Sequence, residues 1–458
     1  MQYDVLVIGA CTAGLYFAKR MAEQGYSVLV VDKDKKEELG KRLEIFHMDL
    51  GEMRRYGAPA PEAGDDFVHS FKFSASRSAL GRWEKYHEHT VYVMKLPAYI
   101  QRLVRWAEEY GAECAFETEF DELIIEGGKV VGAKLRRGDK VAPVHAKLVA
   151  DCSGIPAVAR TKLPAGCICE NFKLEQTDKF YVTVNYVSFL KPEKVHIRHT
   201  ISWPFYKVWI APREIEQGAI LGVGANMSYE YGERCLKKFL QDISIPPFRI
   251  DKVERGAVPY HRPPYSFVAD GFVALGDSVC LTKPNNGEGV TAAWYLVDIA
   301  AQEIGAAMQS GESPTAEEMW GVNVRYQRSQ GAQFAELLAT MTGAVDCSRA
   351  ENDYEFKHNL IFKSSLRNQK VDKEQEKKDL IKGLLKGVLN GKMRVKTIKK
   401  LLHYSTIASK IKHHYMDFPA DIHGYQAWKQ QADTLWASAG SMADVVYDKE
   451  YYLNDCNK

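Results

Sequence analysis

Hydrophobic and polar positions first trace a strand–helix–strand unit. Tyr3 to Ile8 is an apolar run of strand length, Leu15 to Gly25 keeps a helical period, and Ser27 to Val31 is a second apolar run that stops at Asp32. The helical period returns from Leu96 to Gly111, with Ile100, Leu103, Val104 and Ala107 on one face. From Glu122 to Leu135 two strand-like runs flank Gly127-Gly128, which predicts a hairpin. Lys147 to Asp151 reads as a further strand, ending in Asp151-Cys152-Ser153-Gly154.

The pattern changes between residues 160 and 264. Phe180 to Val187 and Tyr206 to Ile210 alternate, and Gly218 to Gly224 reads as their partner. A mostly antiparallel sheet, inserted into the first unit, is expected. Residues 51–91 are polar, contain Pro59 and Pro61, and read as an excursion from the core. The chain returns at Gly271, and Val290 to Met308 predicts a long helix. The predicted fold class is α/β. A Rossmann-like nucleotide-binding domain is expected from 1–50, 92–160 and 265–345, a substrate domain from 51–91 and 161–264, and a helical basic C-terminal region over 346–458.

With 458 residues, 46% apolar and 26% charged, the composition is that of a globular protein of two or three domains. A net charge of +2 gives no basis for nucleic-acid binding by the whole molecule. Nine scattered cysteines predict a reducing compartment, and the pair Cys167-x-Cys169 has no His/Cys group at zinc spacing beside it, so no metal is expected. No apolar run reaches the roughly 18 residues of a membrane span, and no leader precedes the strand at Tyr3, so a cytoplasmic protein is expected.

Charge is uneven. Residues 377–414 hold eleven Lys/Arg and one acid, Asp379, so the remainder is net acidic. Leu380, Ile381, Leu384, Leu385, Val388 and Leu389 recur there at helical spacing. Two readings stay open for this region: a helical cap with a solvated basic face, and a face that lies peripherally on a membrane.

The chemistry rests on two distant motifs. Gly9-Ala10-Cys11-Thr12-Ala13-Gly14 follows the first strand and opens a helix, the place where free N–H groups and the helix dipole receive a pyrophosphate. Asp32, at the end of the second strand, suits the ribose hydroxyls of an adenosine. Cys11 stands where the dinucleotide fingerprint has its second glycine. Far downstream come Gly276-Asp277-Ser278 and Pro284-Asn285-Asn286-Gly287-Glu288-Gly289. Together the blocks imply FAD.

In this order, these blocks resemble the FAD-dependent geranylgeranyl reductase family, which shares its fold with p-hydroxybenzoate hydroxylase-type enzymes and flavin-dependent halogenases. The resemblance covers residues 1–345 clearly and the tail loosely. It implies a flavin site made of Gly9, Cys11, Thr12, Ala13, Gly14, Asp32, Lys33, Arg42, Lys95, Asp151, Gly154, Gly276, Asp277, Pro284, Gly287, Glu288 and Gly289. The substrate side departs from the family. Where the reductases have Y-x-W-x-F-P, this chain has Lys207-Val208-Trp209-Ile210-Ala211-Pro212, and Tyr206 lies one residue off. Trp203, Tyr206, Trp209 and Pro212 are the candidate substrate wall. The cysteine that archaeal reductases carry after an Arg is Leu43 here, following Arg42. His47 is the nearby acid–base candidate.

The resemblance implies an FAD-dependent oxidoreductase that reduces a C=C bond of an apolar, isoprenoid or other lipid substrate. Its electrons would come from NAD(P)H or a small redox protein that docks transiently. An aromatic monooxygenase or halogenase, and a flavoprotein electron carrier docked to a membrane or partner, are the alternatives. No nucleic acid partner is expected.

Overall fold

The computed structural model describes residues 2–191, 196–213, 217–226, 228–341, 347–360 and 373–440. Its strands form two sheets. The first contains β1 (Gln2–Ile8), β2 (Val28–Val31), β6 (Glu113–Ala115), β7 (Glu119–Glu126), β8 (Lys129–Arg137), β9 (Lys140–Asp151), β15 (Val268–Ala269) and β16 (Phe272–Ala274). The second contains β3 (Ile45–Asp49), β4 (Phe67–Arg77), β5 (Glu84–Lys95), β10 (Lys179–Phe189), β11 (Ile201–Trp203), β12 (Val208–Ala211), β13 (Gly218–Asn226) and β14 (Phe248–Pro259).

In the first sheet β16, β9, β1, β2 and β6 run parallel in that order. β2 and the inner parts of β1 and β9 are fully buried, as unbroken apolar strands between helices should be. The covering helices are α1 (Thr12–Ala22), α3 (Leu96–Glu109) and α5 (Val290–Ala307); the Trp294 indole N–H donates to the Thr12 carbonyl at 2.9 Å and locks α5 to α1. The expected hairpin is β7–β8, and its turn lies at Gly127-Gly128.

The second sheet is antiparallel apart from one parallel pair, β11 with β4. It shifts one expected boundary and gives residues 51–91 regular structure. Ile45–Asp49 and the end of β5 pair with each other here, although both fall in segments expected in the nucleotide domain. Residues 51–91 do not loop out: after the short α2 (Leu50–Arg55) they form most of a long hairpin, β4–β5, that extends the sheet. Proline and polar content pointed to an excursion because one face of these strands is half-exposed. Helix α4 (Tyr229–Asp242) covers one face of the second sheet through Tyr231, Cys235 and Phe239.

The C-terminal region is helical where described: α6 (Trp320–Tyr326) and α7 (Ala332–Met341) lead to α8 (Arg349–His358), α9 (Lys373–Leu389), α10 (Val395–Met416) and α11 (Tyr425–Ala439). The expected helical stretches at 361–372 and 441–458, and the expected domain end at 342–346, lie outside the described residues. Ile407, Ala408, Ile411 and Tyr415, one face of α10, join Tyr265, Trp320, Phe418 and Trp428 in a core of their own. No helix among the described residues is long and apolar enough to cross a membrane.

Candidate cofactor and active site

The carboxyl ends of the parallel strands meet at one edge of the first sheet. Ile8 lies opposite Val31 and Asp151, and Asp151 opposite Ala274, so the loops after β1, β2, β9 and β16 emerge together. Ligands of open α/β sheets bind at such an edge. The turn after β1 is tight: Gly9 has φ +107°, and a Cβ there would sit 2.5 Å from the Cys152 carbonyl oxygen. A Cβ on Gly14 would sit 2.1 Å from the Gly9 oxygen, so only glycine lets α1 start this close to the turn.

Cys11 is the N-cap of α1. Its sulfur accepts the Gly14 N–H at 3.4 Å and its S–H donates to the Cys152 carbonyl at 3.1 Å. Burial pushes the thiol up to about 11; the Gly14 and Ala13 N–H groups pull against this, and the charges of Asp32 and Asp277 add to it. The thiol therefore stays protonated and remains a donor. Its electrostatics also locate the site, because Cys11 senses Asp32 from the first motif and Asp277 from the last. Gly276 lies against the Ala13 side chain, where a Cβ would approach to 3.0 Å.

Asp32 braces the turn. One oxygen accepts the Ala10 N–H at 2.8 Å and the other the Asp34 N–H at 2.9 Å. Lys33, exposed, lines a polar cavity of about 570 Å³ with Lys35, Glu38, Glu117 and Arg136. Asp277 accepts the Thr282 hydroxyl on one oxygen at 3.0 Å, and among the described residues no side chain or backbone N–H bonds its second oxygen. Burial pushes its carboxyl above the usual range, with Thr282 and the nearby Arg42 guanidinium opposing. Pro284, Gly287, Glu288 and Gly289 form the loop into α5. Lys283 and Glu288 close it with an ion pair at 2.8 Å, the Glu288 carboxylate also accepts the Thr291 hydroxyl, and α5 starts with no acid in its first turn.

Asp151 and Lys95 have structural roles of their own. Both oxygens of Asp151 are occupied within its own loop: Oδ1 accepts from the Ser153 N–H and hydroxyl, and Oδ2 from the Ala159 and Arg160 N–H groups. It shapes the loop that carries Gly154 rather than offering a free carboxylate. Lys95 caps the start of α3, where its backbone N–H donates to Asp66 at 2.8 Å.

The candidate substrate wall is split. Trp203 and Tyr206 are buried against Phe239 of α4, and the Tyr206 hydroxyl donates to Asp242 at 3.0 Å. Trp209 points to the opposite face. There its ring covers Gly222 and packs with Ile45, Val91, Val93, Tyr186, Ala211 and Ile220, with Leu43 alongside. Adjacent strand positions alternate between faces, and only the pairing register and the covering helix decide which face is core. Buried Pro212 follows Ala211. His47 on β3 sits edge-on to Phe71, and its Nε2 is buried without a hydrogen-bond partner. Burial pushes the imidazole down to about 4, against a hydrogen bond with the Pro212 backbone. Burial therefore favours the neutral ring near pH 7. The sequence reading missed the Tyr186–Glu254 pair (2.7 Å), which fixes Glu44 and Ile45 through their N–H groups. Its partners are far apart in the chain and no local spacing announces them.

The glycine cradle, the N-termini of α1 and α5 with no acid in either first turn, and the second oxygen of Asp277 fit FAD. The comparisons agree. Residues 2–198 match the family described as FAD binding domain. The fold and the site define an FAD-dependent oxidoreductase with the p-hydroxybenzoate hydroxylase type of architecture. Within that class the chain is similar to proteins named digeranylgeranylglycerophospholipid reductase. It is 26% identical over 453 residues to digeranylgeranylglycerophospholipid reductase of Sulfolobus acidocaldarius, covering 95% of this chain and 97% of that one. The Methanocella arvoryzae protein of the same name is 25% identical, over 68% of this chain and 79% of its own. A geranylgeranyl bacteriochlorophyll reductase-like structure from Thermoplasma acidophilum shares the fold with a TM-score of 0.72 at 17% identity, over 86% of this chain and 99% of that one. A flavin-dependent brominase shares it at 0.61 and 16% identity, over 95% and 99%.

Proposed function

We propose that this enzyme reduces C=C bonds in the isoprenoid chains of a lipid. The carrying observation is the end-to-end match to a lipid-named reductase, tail included, around a site whose two motifs converge. FAD, when bound, would supply the hydride, and a protein or water group would supply the proton that completes the addition across the double bond. In this reading Gly9, Thr12, Ala13 and Gly14 present the N–H cradle to the pyrophosphate, Asp32 and Lys33 hold the adenosine end, and Asp277 takes a ribityl hydroxyl. Arg42 and the 284–289 loop border the ring. The apolar face around Trp209, Val91 and Val93 excludes water from the reacting carbon, and neutral His47 orders that face without donating a proton. A small donor, NAD(P)H or a redox protein, reaches the flavin transiently. A bilayer-resident substrate requires that the enzyme work peripherally at a membrane.

The second reading, oxygen-dependent hydroxylation or halogenation, draws on the shared fold and on Lys207 and Ala211 in place of the family residues. Enzyme reduced under anaerobic conditions should be reoxidised by geranylgeranyl lipid, with one molecule of hydrogen gained per double bond by mass spectrometry. Reoxidation by oxygen alone, with an aromatic substrate hydroxylated or halogenated and the lipid unchanged, would favour the second reading.

A further inference from the structure

Helix α9 has a defined inner face. Leu384 is buried and Leu380 and Val388 pack beside it against Tyr354, Leu360, Met393 and Ile398. Gly383 and Gly387 let the helix lie this close, since a Cβ would meet Leu360 at 2.4 Å and Met393 at 2.5 Å. The orientation is therefore fixed, and the other apolar residues of α9 point outward. Ile381, Leu385 and Leu389, one helical turn apart, are 37%, 57% and 86% exposed. After a short connection α10 also carries exposed apolar side chains, Val395 at 54% and Leu402 at 42%. Lysines run beside both rows: Lys378, Lys382 and Lys386 on α9, and Lys396 and Lys399 on α10, all exposed.

We infer that this α9–α10 face lies on an anionic lipid bilayer, with Leu385, Leu389 and Val395 entering the headgroup boundary and the lysines meeting lipid phosphates. The inference rests on the lipid-substrate reading above and names the surface that brings the enzyme to its substrate. Charge complementarity selects the occupant. A row of exposed leucines flanked by lysines, with Asp379 the one acid of residues 377–414, is the pattern of an interfacial helix, whereas a nucleic-acid groove needs no leucines and a protein partner needs no such excess of one charge. Arg394 is not part of the face, because it pairs with buried Glu351 at 2.7 Å.

The test uses the full-length, FAD-loaded enzyme and substrate-free vesicles of phosphatidylglycerol or phosphatidylcholine. Cosedimentation with phosphatidylglycerol at low salt is expected, lost at high salt as the Debye length falls below roughly 8 Å, and absent with phosphatidylcholine. Leu385→Ser with Leu389→Ser, and separately Lys382→Glu with Lys386→Glu, should each lower partitioning at least about tenfold with the flavin spectrum unchanged. Lys396→Glu with Lys399→Glu on α10 repeats the test should the α9 variants fail to fold. Failure of the wild type to bind phosphatidylglycerol at low salt, indifference of folded variants, or binding to duplex DNA in preference to these vesicles overturns the inference. Reduction of detergent-dispersed lipid is measured separately: normal reduction by variants that no longer sediment upholds the docking surface. Wild-type sedimentation without reduction also upholds it and removes only the substrate reading.

Discussion

Asp277 and Asp32 look alike in sequence and differ in what surrounds them. Asp277 keeps an oxygen free in a buried site, so Asp277→Ala should weaken FAD about 10- to 100-fold in a flavin titration, the range of a lost charged hydrogen bond. Asp32 instead holds the Ala10 and Asp34 N–H groups, so Asp32→Ala should weaken FAD less but lower the melting temperature of the flavin-free protein. Cys11→Gly should keep or tighten FAD, since a glycine N-cap is worth only a few tenths of a kcal/mol less than a side-chain cap. Equal loss of flavin in all three variants would contradict these assignments. His47 gives a pH signature. Its folded value near 4 lies below the ordinary 6.5, so its contribution is complete above pH 6.5 and is lost as pH falls toward 4. His47→Gln should change unfolding little at pH 7 and be relatively more stable by about 2 kcal/mol at pH 4.5, read by urea midpoints. These residues were legible to different depths. Gly9, Asp32 and Asp277 announced themselves because backbone geometry forces their spacing. The split of Trp203 and Tyr206 from Trp209 did not, because a single residue of register moves a side chain between faces.

Among the elements, α8 shows how little room the fold leaves for adjustment. Ser348 and Glu351 cap it reciprocally, Glu351 also binds Arg394 and Thr397 of α10, and Asn352 and Asp353 accept the N–H groups of Ala79 and Leu80 at the tip of β4–β5. One turn on, Glu355 is pushed up to about 8 by burial, with the Cys347 S–H and the Lys85 charge opposing. A raised value means that the contribution is complete below the ordinary 4.5 and lost as pH rises through 8. Glu355→Gln should therefore leave stability at pH 4.5 nearly unchanged and raise it by about 2 to 4 kcal/mol at pH 9. A destabilised variant at pH 9 would show that the charged form is held by Lys85 after all. The helices were legible from their periods. What α8 joins was not, since none of its partners on β4–β5 or α10 is local.

At the scale of the whole molecule, the sequence carried the α/β class and the return of the chain at Gly271, because parallel strands buried on both faces are continuously apolar. It misplaced the edge of the second sheet, where β3 and the β4–β5 hairpin are half-exposed and read as polar. In the tail, an exposed basic stretch and a buried anchor share one helix. α10 spans 22 residues, roughly 33 Å. Its first turns carry Val395 and Lys399 outward, and its last turns bury Ile411 and Tyr415 among Tyr265 and Trp428. The basic region is consequently not a detachable module. A truncation made to obtain a smaller enzyme would remove part of the core along with the surface, and a fused or transplanted tail would arrive without the half that anchors it. Redesign of this surface has to proceed by side-chain substitution on a retained backbone.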